Sequence, residues 1–388
     1  MNIALICPRD FTAYLCCQWI IKYLLKKKHK IFLITTLTED SFFHRELCKL
    51  KIKIIPVNMN RHLNIFDDIK YLISLYLIFK KYKISNVFSF CTKPNIYSPI
   101  AAKLAGIKEI YISIWGRGTS FLKNNSIKFT LLKTIVLIFY KIAFILSDKI
   151  WFTNKNDLKY FQSKKIINLN KVILTRNYID TDIYNPKKIN NKRKDKLIKE
   201  LRLKKNTPVV ILVGRMIFSK GIKEFIDSSL IVKKVYKDII FILIGPEEKN
   251  NPDSVPSNYL KKLNKLPKYK HIKWLGFRND IKELYSISKI AVLPSYYPEG
   301  GFPRAITEPM SMAKAVIASN SEDCKGPIDE NIDGLLIPPK DKDQLAEKIL
   351  MLLSNPKMLR SISKKAREKV IREFDEKVII SKLIEEFY

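Results

Sequence analysis

The chain has 388 residues, 47% of them hydrophobic, more than one core usually serves, so two domains of ordinary size are expected. With 71 Lys and Arg against 37 Asp and Glu, the formal net charge of +34 suits a protein that meets anions, whether nucleic acid, an acidic membrane surface or phosphorylated substrates. Six cysteines without Cys-x-x-Cys spacing and four histidines without ligand pairing imply no disulfide framework and no metal site.

The chain opens on a strand, Met1-Asn-Ile-Ala-Leu-Ile-Cys7, which lacks the charged leader, long apolar core and cleavage site of a signal peptide; a reducing cytoplasm is expected. Pro8-Arg-Asp-Phe-Thr12 reads as a turn that leaves Arg9 and Asp10 as its polar groups, followed by an apolar-periodic helix to about Lys28 and a strand over Ile31 to Thr35. The lysine run after that helix, Lys26 to Lys30, suits a solvated helix end. Alternation continues with strand-like Lys53 to Val57, helix-like Asp67 to Tyr82, strand-like Asn86 to Phe90 and helix-like Ile96 to Ala105, where Gly106 stops the helix. The strand Glu109 to Ile114 then runs into Trp115-Gly-Arg-Gly-Thr119, a glycine-flanked arginine at the edge where doubly wound domains place ligands. Arg117, with Gly116 and Gly118, is thus either a group for an acceptor phosphate or an ordinary loop arginine.

Residues 127–146 are apolar nearly all round but carry Lys128, Lys133 and Lys141, so a membrane-spanning helix is not expected. Two readings stay open: a core helix of the first domain, or an interfacial helix whose lysines snorkel to anionic headgroups. The first 190 residues carry 32 Lys and Arg against 11 Asp and Glu, which favours docking of this domain on an anionic leaflet. Strands at Lys149 to Thr153 and Val172 to Thr175 complete the first sheet. Asp180-Thr-Asp182 matches an Asp-x-Asp metal motif only superficially, since no other hard-cation ligands lie nearby. Lysine-rich 187–207 reads as a linker.

The second domain opens on Pro208-Val-Val-Ile-Leu-Val-Gly-Arg-Met-Ile-Phe-Ser-Lys-Gly221, a strand, a glycine turn and a helix start. Arg215 and Lys220 would meet a diphosphate at that helix N-terminus, one as a bidentate fork and the other as a point charge. Strand Ile239 to Gly245 and Ile272-Lys-Trp-Leu-Gly-Phe-Arg-Asn-Asp280 follow, and then strand Ile290 to Pro294 leads into Ser295-Tyr-Tyr-Pro-Glu-Gly-Gly-Phe-Pro-Arg-Ala-Ile-Thr-Glu308. Glu299 and Glu308 bracket that Gly-Gly turn; carboxylates accept hydrogen bonds in a two-oxygen geometry that suits vicinal hydroxyls. Three helices end the chain, over Asp341 to Leu353, Pro356 to Glu373 and Asp375 to Tyr388.

Gly214-Arg215…Lys220-Gly221, then Glu299-Gly-Gly-Phe-Pro…Glu308, then Asp333-Gly-Leu-Leu-Ile-Pro-Pro339, in this order, resemble the retaining GT-B glycosyltransferases of family 4, also called glycosyl transferases group 1. The resemblance implies an α/β protein of two doubly wound Rossmann-like domains facing a cleft. It places an acceptor domain at 1–186, a linker at 187–207, a donor domain at 208–374 and a last helix, 375–388, crossing back to the first domain. It further implies transfer of a sugar from a nucleotide-sugar, a UDP-sugar, to a lipid-linked saccharide of bacterial surface-glycan type, with no cofactor and no bound metal. Arg215, Lys220 and Glu299 would be catalytic; Gly214, Phe277, Arg278, Gly300, Gly301, Phe302, Pro303 and Glu308 would bind the donor. The partners would then be a nucleotide-sugar, a saccharide acceptor and the inner face of the plasma membrane, not nucleic acid.

This chain departs from the family pattern in three places. The first turn lacks a glycine pair, Glu299 and Glu308 stand nine positions apart rather than eight, and Asn320 to Ile328 replaces a more glycine-rich segment. A GT-B-like nucleotide-sugar epimerase would share the donor motifs without an acceptor. A basic nucleic-acid-binding protein would share only the charge, and the chain has no recognisable motif for it.

Overall fold

In the first unit, Met1–Arg176 with Ile380–Tyr388, apolar strands alternate with helices. In order these are β1 (Asn2–Cys7), α1 (Asp10–Lys26), β2 (Lys30–Thr35), α2 (Phe42–Cys48), β3 (Lys53–Pro56), α3 (Ile65–Lys81) and β4 (Asn86–Phe90). They continue with α4 (Thr92–Leu104), β5 (Glu109–Ile114), α5 (Ile127–Leu146), β6 (Lys149–Phe152), α6 (Lys155–Ser163) and β7 (Val172–Leu174). The computed structural model describes residues 1–38, 41–60, 64–117, 121, 126–204, 206–248, 251–299 and 301–387.

The seven strands form a parallel sheet in the order β3-β2-β1-β4-β5-β6-β7. Runs such as Ile3-Ala-Leu-Ile6 are buried throughout, as expected of strands covered on both faces. Helices α3, α4, α5 and α6 supply Tyr71 and Phe79, Ile96 and Tyr97, Tyr140 and Phe144, and Phe161 to one core cluster with the sheet, so they share one of its faces. Asp10 in the first turn is a buried anchor: its carboxylate accepts from the Phe11 N–H at 2.7 Å and the Ser41 hydroxyl at 2.5 Å.

Helix α5 is more apolar than its lysines suggested. By length and composition Phe129–Leu146 is apolar enough to cross a membrane, despite Lys133 and Lys141. One side of it is core, with Val136, Tyr140, Ala143 and Phe144 buried against the sheet, while the other side stays exposed.

The second unit, Asn177–Ile379, opens with α7 (Asn191–Glu200). Residues 187–207, expected as a linker, therefore hold a helix whose start Asn190 caps, and Leu197 and Leu201 are buried in this unit's core. There follow β8 (Val209–Val213), α8 (Ile222–Val235), β9 (Ile240–Ile244), α9 (Ser257–Lys265), β10 (Ile272–Trp274), α10 (Ile281–Ile287) and β11 (Ile290–Leu293). The unit ends with α11 (Arg304–Ser311), β12 (Ala315–Ser319), β13 (Leu335–Ile337), α12 (Lys342–Ser354), α13 (Pro356–Glu373) and α14 (Glu376–Phe387), whose residues from Ile380 on belong to the first unit. Its six parallel strands run β10-β9-β8-β11-β12-β13. The order reverses between β8 and β11, and the crevice beyond the carboxyl ends of two such strands is where open α/β sheets bind ligands.

His271, just before β10, is buried against Phe241, and its Nε2 lies 3.0 Å from the Ser229 hydroxyl. Burial, reinforced by Lys233, lowers its pKa from 6.5 to about 4. A folded-state pKa below the unfolded value means stability that is complete above pH 6.5 and is lost as pH falls towards 4. Between pH 7 and pH 5 this costs about 2 kcal/mol. Replacing His271 with Asn should flatten that part of the urea-unfolding profile; equal slopes in both proteins would remove His271 as the cause.

Candidate active site

Both sequence motifs leave the strands at the reversal point, one loop from β8 and one from β11. After Val213 the chain passes Gly214 and Arg215, forms a 3-10 turn over Phe218–Lys220 and enters α8 through Gly221 at φ +77°. A side chain at Gly221 would place its Cβ 2.3 Å from the Pro294 carbonyl oxygen at the end of β11, so the start of α8 lies directly on the second loop.

The ammonium of Lys220 is ion-paired with Glu299 Oε2, and both side chains are nearly buried. Glu299 Oε1 accepts from the Ser295 hydroxyl at 2.5 Å. Tyr297 N–H donates to that hydroxyl at 3.2 Å, while the N–H groups of Tyr296 and Tyr297 donate to the Ser219 carbonyl at 2.9 and 3.0 Å. Ser219 is fixed in turn by Asp253, whose Oδ2 accepts from its N–H at 2.8 Å and also from its hydroxyl. Arg215 reaches Glu248 at 3.6 Å and lies 5.0 Å from the centre of the Tyr297 ring, whose face Lys220 approaches at 5.5 Å. Burial opposes the Arg215 charge, but Tyr297, Glu248 and Glu299 outweigh it and raise its pKa above the ordinary guanidinium value. Two cations, a carboxylate and a helix N-terminus thus converge on one spot. Cys324 beside it stays a thiol, its pKa pushed up to about 12 by burial and then by the Glu299 charge.

Glu308 sits in α11, buried, where Oε1 accepts from Arg304 Nε at 2.8 Å, one helical turn away. Burial opposes the Arg304 charge, but Glu308 and Tyr184 raise its pKa; burial and then Glu308 raise that of Tyr184. Glu308 is therefore already partnered inside its unit.

The other expected residues divide. Gly301 has φ +116°, and Pro303 caps α11. Phe302 packs: its ring meets Phe374 edge-on at 5.4 Å and covers Gly326, where an added Cβ would lie 2.1 Å from it. Phe277 is half exposed, following Gly276 at φ +65°, whereas the Arg278 guanidinium is committed to Glu200 at 2.7 Å and Asp280 at 2.6 Å. Asp333 of the third motif pairs with buried Lys369 at 3.2 Å, an anchor for α13. In the first unit Arg117 donates to Asp157 at 2.9 Å and lies 4.7 Å from the centre of the Tyr160 ring, beside Gly116 at φ +115°. Gly118 and Gly300 lie outside the described residues.

Among the described residues, no group of three or more His, Cys, Asp or Glu could hold a metal ion. Asp182 is engaged elsewhere, paired with Lys188 and Lys377 at 2.9 Å each, and Lys377 first and then Lys188 lower its pKa to about 2.

Ser295, Tyr297, Asp253 and Arg304 were not singled out from the sequence. Ser295 and Tyr297 flank Glu299 and were within reach of that stretch, and Arg304 stands four residues before Glu308 on the same helix. Asp253 lies 34 residues from Ser219 in a loop rich in Pro and Asn, with no local signal to mark it.

Both units match known proteins. Residues 193–369 match the model of the glycosyl transferases group 1 and residues 3–154 that of glycosyl transferase 4-like proteins. The chain is 28% identical over 367 residues to the N,N'-diacetylbacillosaminyl-diphospho-undecaprenol alpha-1,3-N-acetylgalactosaminyltransferase of Campylobacter jejuni, covering 94% of this chain and 92% of that one. To the UDP-Gal:alpha-D-GlcNAc-diphosphoundecaprenol alpha-1,3-galactosyltransferase of Escherichia coli it is also 28% identical, over 81% of this chain and 78% of the relative. Anabaena HepE in complex with UDP-glucose has the same fold, with a TM-score of 0.79 at 19% identity over 100% of this chain and 99% of that one. With both units accounted for in this way, the chain is a glycosyltransferase of GT-B fold, its second unit matched by the glycosyl transferases group 1 and its first by the glycosyl transferase 4-like proteins.

Proposed function

We propose that this glycosyltransferase moves a sugar from a UDP-sugar to a lipid-linked saccharide, retaining the anomeric configuration, on the inner face of an anionic membrane. The observation that carries the donor side is the meeting of Lys220, Arg215 and Glu299 at the strand reversal of the second sheet. Support for the lipid-linked acceptor comes from the Campylobacter and Escherichia relatives, whose names place their substrates on undecaprenol diphosphate. UDP is the nucleotide in the Escherichia relative's name and in the HepE complex.

The chemical difficulty is departure of an anionic diphosphate from an oxocarbenium-like carbon. The bond from the anomeric carbon to the phosphate oxygen breaks, the acceptor oxygen bonds to that carbon on the same face, and the acceptor proton passes to the leaving phosphate. Arg215, Lys220 and the N-terminus of α8 stabilise the charge that develops on the leaving group, which is how a barrier is lowered. Binding the diphosphate draws Lys220 away from Glu299, and the freed carboxylate accepts from the sugar hydroxyls. Two fixed cations supply this charge without a resident metal. Glu308 would hold the ribose, and Gly214, Gly301 and the backbone at Phe277 would line the nucleotide.

Turnover of Lys220→Ala should fall by about 10²-fold or more, the scale of losing one preorganised charge donor. In a thermal-shift panel of UDP, GDP, ADP, CMP and their sugars, UDP ligands should stabilise the wild type with or without EDTA and leave the variant unmoved. Normal kinetics in the variant would refute the role of Lys220, and an EDTA-sensitive shift would refute the metal-free site.

Ser295 acts through Glu299 rather than on substrate. Ser295→Ala should lower kcat with UDP-sugar roughly tenfold, the loss of one hydrogen bond to a charged group, yet leave the thermal shift with UDP alone unchanged. Loss of UDP binding would make the residue merely structural.

A further inference from the structure

The outer side of α5 is built in a way that a solvated helix is not. Its covered side presents Val136, Tyr140 and Phe144 to the sheet, and its opposite side presents Ile127, Leu131, Ile135, Ile138, Ile142 and Ile145 to solvent, with Ile127 87% exposed and Ile145 63% exposed. Steps of four and three residues keep these six on a single stripe, about 27 Å long at 1.5 Å per residue. Helix α3 repeats the pattern. It buries Tyr71, Leu75 and Phe79 and exposes Phe66 (78%), Ile69, Ile73 and Leu77 (57%). Because α3 and α5 both pack against α4 on one face of the first sheet, the two stripes look out from the same helical layer. Single exposed apolar residues need no explanation, but two stripes on helices that both pack against α4 do.

The charge around the stripes says what covers them. Helix α5 contains no acidic residue, and Lys141 is exposed beside its stripe. On α3, Lys70, Lys80 and Lys81 are exposed, while Asp68 is paired with Lys93 and Asp67 accepts from Asn60. The neighbouring α6 adds exposed Lys159, and exposed Lys164 follows at its end. Apolar stripes rimmed by cations match a lipid surface with anionic headgroups, where the isoleucines enter the acyl boundary and the lysines stay at headgroup level. A second copy of the same face would bring like charges together, and a nucleic acid would leave the apolar stripes in water.

We infer that the α3–α5 face of the first unit is the membrane-docking surface, with α5 lying in the plane of the leaflet. To span the bilayer, α5 would have to strip Tyr140 and Phe144 from the core, and the fold would lose its third helical layer member on that face. This inference gives a location to the membrane part of the function proposed above and rests on that reading for its purpose, though not for its test.

Flotation of the full chain with vesicles of phosphatidylglycerol and phosphatidylcholine, without donor or acceptor, reads docking alone. Wild type should float with anionic vesicles, bind phosphatidylcholine vesicles more weakly, and lose part but not all of its binding in high salt. Leu131→Gln with Ile138→Gln, both at exposed positions, should weaken binding tenfold or more while the UDP-sugar thermal shift stays as in wild type. Lys80→Glu with Lys141→Glu should remove the preference for anionic vesicles. Equal flotation of wild type and the Gln variant would overturn the assignment, as would no flotation of wild type. A wild-type dimer in solution that the Gln variant makes monomeric would assign the face to a second copy instead. Docking that fails beside an intact UDP-sugar shift leaves the transfer reaction standing.

Discussion

The ion pair between Lys220 and Glu299 is where the second unit's geometry becomes chemistry. Two opposite charges almost removed from water cost several kcal/mol each in lost hydration, and their mutual attraction repays this only with good geometry and further hydrogen bonds. Glu299 has such support from Ser295, and Lys220 sits over the Tyr297 face. Such a pair contributes little net stability. Its value lies in keeping a cation and an anion in place at a strand reversal, each satisfied by the other until a ligand offers a diphosphate to one and hydroxyls to the other.

Everything nearby serves to hold that pair. Lys220 must leave a 3-10 turn at the head of α8, and Gly221 permits this only because no Cβ intrudes on the Pro294 carbonyl. The turn is pinned from below by Asp253 through Ser219, and the Ser219 carbonyl then takes the backbone of Tyr296 and Tyr297 from the other loop. A displacement at Asp253 would therefore reach Glu299 through four polar contacts, by way of Ser219, Tyr297 and Ser295. Loops carry the reacting groups, and hydrogen bonds across the reversal point tie one loop to the other.

Much of this was legible from local sequence. Apolar runs marked nearly every strand, and Arg215, Lys220 and Glu299 stood out because glycines and a helix start surrounded them. What escaped was set by distance or by ambiguous composition. Asn191 to Glu200 is so rich in lysine that it reads as a linker; only its Leu197, together with Leu201 just beyond its end, ties it to a core. Arg117 looks like a free guanidinium in sequence, and its carboxylate, Asp157, lies 40 residues away; Arg278 has Asp280 two residues on, but its second carboxylate, Glu200, lies 78 residues away. Phe302 sits inside the donor signature yet spends its ring on Phe374 and Gly326, contacts that no spacing rule encodes.

Helix α5 shows the limit from the other side, since its sequence is apolar on every face and periodicity cannot tell its covered side from its open one. The sheet decides. Tyr140 and Phe144 are core because Phe152 and Phe161 lie beneath them, and Ile138 and Ile145 are surface, exposed among the described residues. A soluble helix in that position would gain solubility from polar residues there at no cost to packing. Apolar stripes kept on both α5 and α3, with lysines rather than acids at their margins, are therefore a property of the surface and not a by-product of the core.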